Sequence, residues 1–342
     1  MSKNDILPLL LAAAVSFLLS FLLTPPAKTL AGFLGAVDLP DGEKGGRRIH
    51  KKPTPRLGGL AIFLSFFAAS ALFAARTAGG DSAALWLGGM LIVIMGVLDD
   101  VFGLKAGWKL AFQLSAAVAA VLLGVRIGVI KAFGTAFFPG GWSVPVSVLW
   151  IVTLTNALNL IDGLDGLACG IAAASSLSLA AVSLIAGDLP RTLPAVCLAG
   201  ACLGFLPYNK TPASVFMGDT GAQFLGYALG VISVSSFFGD ENAVPLAVPI
   251  MIFALPVSET GFAFFRRVKN GKNPFLADRG HLHHRLLDRG FEQGTVTAIL
   301  TGISAVFGAA AVLYCSSPVC GWILLAVGAG ILLLYLAVYA KK

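Results

Sequence analysis

Long apolar runs, separated by short clusters of charge, proline and glycine, set the pattern of this chain. A membrane-spanning helix needs roughly 20 apolar residues. Cutting at the polar clusters gives eleven candidate spans, near residues 6–24, 57–75, 83–98, 109–124, 144–160, 166–186, 190–206, 222–238, 244–265, 295–315 and 320–339. The pattern predicts an all-α, polytopic membrane protein of about eleven transmembrane helices, one membrane domain over 1–342. The first run has a weak basic start and no small-residue cleavage site before "PPAK", which reads as a retained helix rather than a signal peptide. Residues 125–143, with short alternating stretches and a "PGG" turn, read as a small outer hairpin or a plain loop.

Composition supports the membrane reading: 57% of residues are hydrophobic and 12% charged, outside the soluble range. Of 24 Lys and Arg residues, one alternate set of inter-span loops carries 19, counting Lys28, Lys44, Arg56, Lys105, Lys210 and Arg285 among them. The other set carries Lys3, Arg76, Arg126, Lys131 and Arg191. The positive-inside rule then puts the N-terminus outside, the C-terminus in the cytoplasm and the chain in the cell membrane. The net charge of +7 lies in these loops, so membrane lipids with anionic head groups or phosphorylated substrates are the expected partners, and nucleic acid is not. Five cysteines (169, 197, 202, 315, 320) fall in or beside apolar runs without metal spacing and read as small buried hydrophobes, with a Cys315–Cys320 disulfide as the alternative.

With this topology, five polar clusters share the inner face. They are "RRIHKKPTPRLGG", "LDDVFG" with Asp99 and Asp100, "NALNLIDGLDGLA" with Asp162 and Asp165, "PYNKTPASVFMGDTG" with Asn209 and Asp219, and "DRGHLHHRL". Each has a plain reading. The paired Asp could be a solvated helix end, Asp162 and Asp165 a structural pair one turn apart, Asp219 an N-cap, the histidines a polar loop, and the basic stretch a positive-inside loop. Their joint occurrence favours chemistry, because five carboxylates crowding one face raise one another's pKa unless a cation sits among them. Carboxylates with a phosphate are how Mg²⁺ is usually held. Nearby Lys and Arg suit anionic phosphates, and Gly163, Gly166, Gly218 and Gly221 would allow close approach of a pyrophosphate. The chemistry indicated is metal-assisted phosphoryl transfer at the membrane surface.

The strings "KPTPRLGG", "LDD", "NALNLIDGLDGLA", "VFMGD" and "HLHH", in this order over residues from about 45 to 290, resemble the polyprenyl-phosphate N-acetylhexosamine-1-phosphate transferases. "HLHH" is similar to the WecA/TagO-like branch, within the MraY superfamily of family 4 glycosyl transferases. The resemblance implies transfer of N-acetylglucosamine-1-phosphate from UDP-N-acetylglucosamine to undecaprenyl phosphate with release of UMP. This is the first membrane step of a bacterial surface polysaccharide such as teichoic acid or O-antigen. Alternatives are the same chemistry on UDP-MurNAc-pentapeptide or a UDP-GalNAc-type donor. It implies Mg²⁺, with Mn²⁺ as an alternative, and a homodimer.

Position by position, Asp219 matches the family's metal ligand, and Asp99, Asp100, Asp162 and Asp165 match the catalytic acidic pairs. Lys52, Lys109, Asn159, Asn209, Arg267, His281, His283 and His284 match substrate-binding positions. At Glu259-Thr260 relatives usually carry Asp-Thr. Direct attack by the lipid phosphate and a covalent aspartyl intermediate both stay open. Two rival classes are a transporter or lipid flippase, which would place ionisable residues near the bilayer midplane, and a non-catalytic scaffold.

Overall fold

The computed structural model describes residues 3–39, 53–73, 81–239, 243–271 and 281–340. The described residues hold thirteen α-helices and two small two-stranded sheets. The helices are α1 (Lys3–Leu34), α2 (Gly58–Phe73), α3 (Asp81–Phe102), α4 (Ala106–Leu122), α5 (Ser143–Ile161), α6 (Leu167–Ile185), α7 (Leu189–Asn209), α8 (Gly218–Phe238), α9 (Ala247–Ile252), α10 (Ala254–Lys269), α11 (Leu282–Leu287), α12 (Gln293–Ser316) and α13 (Pro318–Ala340). Seven of them are long and apolar enough to cross a membrane, and Gly58–Phe73, Ala106–Leu122 and Pro318–Gly330 are shorter apolar helices. The protein is thus helical and multi-pass, and each of the eleven runs read from the sequence falls, over most of its described residues, on helix.

The ninth run is the exception in form. Residues 244–265 are not one helix but two, α9 and α10, separated at Phe253. The physical reason is Pro256: a proline ring clashes with the carbonyl four residues back, here Ile252, which is where α9 ends. At the third position of α10 the missing N–H of Pro256 is no loss, because first-turn N–H groups have no partner within the helix.

The hairpin expected in 125–143 is present as β3 (Ile130–Ala132) and β4 (Thr135–Phe137), paired antiparallel. Its turn is Phe133-Gly134 rather than "PGG". Both turn residues have positive φ, 52° and 76°, as a two-residue type I′ turn demands. The "PGG" stretch instead opens a 3₁₀ turn, Gly140–Trp142. Cys169, Cys197 and Cys202 are buried as expected, but Cys315 is only half-buried and Cys320 exposed. Both are free thiols, so the Cys315–Cys320 disulfide does not form.

Helix α8 is the axis of the fold. Nearly every one of its residues is buried, and α2, α3, α5, α6 and α7 pack around it. Close approach is made by absent side chains: a Cβ on Gly59 would strike the backbone at Gly221, and one on Gly96 the backbone at Thr220. The hairpin segment joins the C-terminal end of α8, where Phe238 O accepts from Gly128 N (2.9 Å) and Val129 N (3.0 Å). At 1.5 Å per residue its 21 residues separate that end from Gly218 by about 30 Å. The polar clusters that lie within the described residues collect at the Gly218 end.

Candidate active site

The site begins with a helix end that cannot cap itself. The first N–H groups of any α-helix lack intrahelical acceptors, and α8 is preceded by Met217, which offers no capping oxygen. The acceptor comes from α3. Asp100 Oδ1 accepts Asp219 N (3.0 Å), while Oδ2 accepts Thr220 N (3.0 Å) and Thr220 Oγ1 (2.7 Å). Gly218 permits this with φ of +69°, and a Cβ there would run into Asp100 and the Arg56 carbonyl. A negative charge at a helix N-terminus is also favoured by the helix dipole.

Arg56 closes the other side of Asp100, with Nη2 3.3 Å from Oδ1 and Nη1 3.8 Å from Asp38 Oδ1. The arginine is held by a short ladder, β1 (Val37–Asp38) with β2 (Thr54–Pro55), in register Val37 to Pro55 and Asp38 to Thr54. Phe216 N donates to Pro55 O (2.8 Å), Gly58 N to Phe216 O (3.0 Å) and Gly59 N to Met217 O (2.9 Å). The "PTPRLGG" segment is therefore stitched to the segment that leads into Asp219.

Lys109, one turn into α4, bridges Asp99 and Asp219: its Nζ lies 2.5 Å from Oδ2 of each. Asp99 Oδ1 accepts Leu104 N (2.7 Å), which fixes the turn between α3 and α4. The side chains of Arg56 and Lys109 are 32% and 25% exposed, against 0% for Asp100 and 4% for Asp99. The two cations are more exposed than Asp99 and Asp100 behind them, while Asp219, 20% exposed, stands beside Lys109.

Asp162 caps the C-terminal end of α5 at the same end of the bundle. Burial, then the negative charges of Asp219 and Asp100, push its carboxyl up to about 8. Asp165 is tied down differently: Oδ2 accepts Ala213 N (2.9 Å) and its carbonyl accepts Thr297 Oγ1 (3.0 Å). Asn209 is likewise committed to backbone, Oδ1 accepting Gly166 N (3.1 Å) and Nδ2 donating to Val215 O (3.0 Å). The oxygen and the nitrogen of its one amide thus tie together the loops that carry Asp165 and Asp219. Asn159 is half-buried in the last turn of α5.

The histidines close on this loop. A Cβ at Gly163 would meet His283 Nε2, so the ring rests where that glycine has no side chain. His281 and His283 stack, with ring centroids 5.5 Å apart and planes 8° apart, and His284 tilts against His283 at 4.3 Å. Burial, then the neighbouring rings of His284 and His281, hold His283 down at about 3, so it is a neutral imidazole at working pH. Glu259 Oε2 sits 3.3 Å from His281 Nδ1 and accepts Leu282 N (3.0 Å). The longer acid at this position thus anchors the histidine segment. Arg267 is buried in the last turn of α10. Lys52 lies outside the described residues.

The described residues contain no group of three His, Cys, Asp or Glu arranged to hold a metal ion. The chemistry of the donors nevertheless fits a divalent cation. Four carboxylates, those of Asp99, Asp100, Asp162 and Asp219, meet two cations, and Asp162 is raised first by its burial and then by the charges of Asp219 and Asp100.

The profile of "Glycosyl transferase family 4" matches residues 82–237, the stretch that runs from α3 through α8 and so contains Asp99 through Asp219. Over 325 residues the chain is 35% identical to a "Probable undecaprenyl-phosphate N-acetylglucosaminyl 1-phosphate transferase" of Bacillus subtilis, covering 93% of this chain and 88% of that one. The chain belongs to glycosyl transferase family 4. A "Decaprenyl-phosphate N-acetylglucosaminephosphotransferase" of Mycobacterium tuberculosis is 34% identical over 339 residues, 90% of this chain and 83% of that one. An "Undecaprenyl-phosphate alpha-N-acetylglucosaminyl 1-phosphate transferase" of Thermotoga maritima is 31% identical over 291 residues, 85% and 86% of the two chains. These family 4 relatives agree with the WecA/TagO-like resemblance carried by "HLHH".

Within this family 4 site, several residues escaped the sequence reading. Arg56 was absorbed into a positive-inside loop, although its place between "PTP" and "LGG" in an otherwise rigid motif was a signal. Glu259 stood out only as a departure. Gln113 and Gln223 were passed over, yet an amide inside an apolar run is costly without a partner and for that reason informative.

Proposed function

We propose that this protein transfers N-acetylglucosamine-1-phosphate from UDP-N-acetylglucosamine to undecaprenyl phosphate, releasing UMP. The supporting observation is the Lys109 ammonium held between Asp99 and Asp219 at one end of a bundle of apolar helices, in a chain aligned nearly end to end with relatives named for this transfer. A soluble nucleotide and a membrane lipid can meet only at such an end.

The reaction is a displacement at phosphorus. An oxygen of the lipid phosphate forms a bond to the β-phosphorus of the nucleotide sugar, and the bond from that phosphorus to the bridging oxygen breaks, its electron pair leaving with UMP. We favour direct attack. Both oxygens of Asp99 and of Asp100 are already engaged by donors, and Asp165 is pinned to Ala213, so these groups orient and balance charge rather than attack. Lys109 and Arg56 steady the phosphate charges at the mouth. Asp219 would hold Mg²⁺, which when bound would offset pyrophosphate charge.

The chain is read as crossing the cell membrane eleven times, with α9 and α10 together as the ninth crossing. The site then faces the cytoplasm, supported by 19 of 24 basic residues lying in the loops of that side. The test is incubation of purified protein with undecaprenyl phosphate, Mg²⁺ and UDP-N-acetylglucosamine labelled in the sugar. Labelled lipid with equimolar UMP is expected; neither product would remove the reading.

A further inference from the structure

We propose that Gln113, Gln223 and Asn156 form a buried amide relay that positions Asp219 and Lys109 for phosphosugar transfer. The inference rests on the functional reading above and adds three positioning residues to it.

Three helices contribute one amide each. Asn156 Nδ2 on α5 donates to Gln113 Oε1 (2.7 Å), Gln113 Nε2 on α4 donates to Gln223 Oε1 (2.8 Å), and Gln223 Nε2 on α8 donates to Asp219 Oδ2 (3.4 Å). Gln113 and Gln223 are buried, so each end of each amide needs a partner inside the protein. The direction of the chain is dictated from its end. A carboxylate only accepts, so Gln223 must turn its NH₂ to Asp219. Its oxygen then accepts from Gln113, whose oxygen in turn accepts from Asn156. Asn156 is locked by a second bond from the same nitrogen to Val152 O (2.9 Å). All the amide dipoles therefore point their positive ends at Asp219, and such chains reinforce one another.

The spacing couples the relay to the charged pair. Lys109 and Gln113 lie one turn apart on α4, and Asp219 and Gln223 one turn apart on α8, so the helices are joined by two successive rungs, Lys109–Asp219 and Gln113–Gln223. Lys109 and Gln223 both engage Oδ2 of Asp219, which fixes the rotation of that carboxylate. Asn156 stands on the helix that ends at Asp162, so the third amide also registers α5 against the pair. An amide network inside apolar helices can serve helix association alone. The position of this one, ending on Asp219 rather than on another neutral group, distinguishes positioning from adhesion.

The experiment uses the full chain in detergent with undecaprenyl phosphate, labelled UDP-N-acetylglucosamine and Mg²⁺. It compares wild type with Gln223→Met, Gln113→Met, the double variant and Asn156→Leu. Replacing both partners of a buried pair by apolar groups of like shape is nearly neutral for folding, so melting temperature serves as the control. Misplacement of reacting groups predicts a kcat loss of about 10- to 100-fold for Gln223→Met and for the double variant. KM for the nucleotide sugar should stay within about threefold. Asn156→Leu, at the far end, should show a smaller loss. Gln113→Met should lower kcat in the wild-type background and have no further effect once Gln223→Met is present. Unchanged kcat in folded variants, losses that follow melting temperature, or additive effects of the two glutamines would overturn the relay. Wild type without labelled lipid would remove the functional reading and the relay with it. An active wild type beside unaffected variants would remove the relay alone.

Discussion

Asp100 caps a helix that begins 118 residues later: its two carboxylate oxygens accept the backbone N–H groups of Asp219 and Thr220 at 3.0 Å each. The bond set makes placement of Asp219 depend on α3. Asp100→Ala leaves those two N–H donors without their acceptor inside the protein and Arg56 without its closer carboxylate, and should lower stability by about 1–3 kcal/mol as well as activity. Asp100→Asn keeps an oxygen for one N–H and should be milder in melting temperature. Thermal unfolding of both in detergent checks this, and equal melting temperatures for wild type and Asp100→Ala would count against the cap.

Lys109 bridges Asp99 and Asp219 and offsets the repulsion between their charges. Lys109→Met leaves two carboxylates facing each other without their shared cation, and removes a positive charge from the mouth. Loss of one such preorganised group costs about 100- to 1,000-fold in kcat, which steady-state turnover would show. Lys109→Arg should not restore it, because a planar fork cannot replace a point charge shared between two oxygens.

Asp162 gives the protein a pH signature. Its folded pKa, about 8, is above the ordinary 3.8, so the native state holds the proton more tightly than the unfolded chain. The stability this contributes is full below the ordinary value and lost as pH rises through the folded one. Metal-free protein should therefore melt at falling temperature from about pH 5 to about pH 9, with a shallower fall in Asp162→Asn. Added Mg²⁺ should raise the melting temperature most at the alkaline end, where Asp162 is ionised. An identical slope in Asp162→Asn would count against this assignment.

Gly163 and His283 are a matched pair, ring against missing side chain. Gly163 is exposed and its φ lies outside the left-handed region, so alanine is tolerated by the backbone. Gly163→Ala should displace the histidine segment and lower kcat/KM by about tenfold with little change in melting temperature. His283, held neutral, should contribute no limb to the pH–rate profile near its ordinary value. A His283→Asn variant that loses such a limb would contradict the neutral assignment.

Much of this was legible in the sequence because its signals are local or one-dimensional. Apolar length marked the long helices but not α11, and the order of "LDD", "IDGLDG", "FMGD" and "HLHH" marked the acidic and histidine segments. Breaks set by through-space chemistry were less visible. Pro256 divides the ninth run through a clash with a carbonyl one turn back, and the hairpin turns at Phe133-Gly134 because strand twist selects positive φ. Partnerships were hidden altogether: nothing local announces that Asp100 caps α8, that Asn209 serves two loops, or that Gln113 meets Gln223 across helices.

Transfer of the sugar with its phosphate requires that the bond between the bridging oxygen of the pyrophosphate and the β-phosphorus breaks. UDP-N-acetylglucosamine carrying ³²P at the β-phosphorus, supplied with undecaprenyl phosphate and Mg²⁺, decides it. Label should move to the organic phase in lipid-linked sugar, UMP should be released unlabelled, and folded Asp219→Asn should yield no labelled lipid. Label left in water-soluble UDP beside a glycosylated lipid, or undiminished transfer by Asp219→Asn, would contradict it.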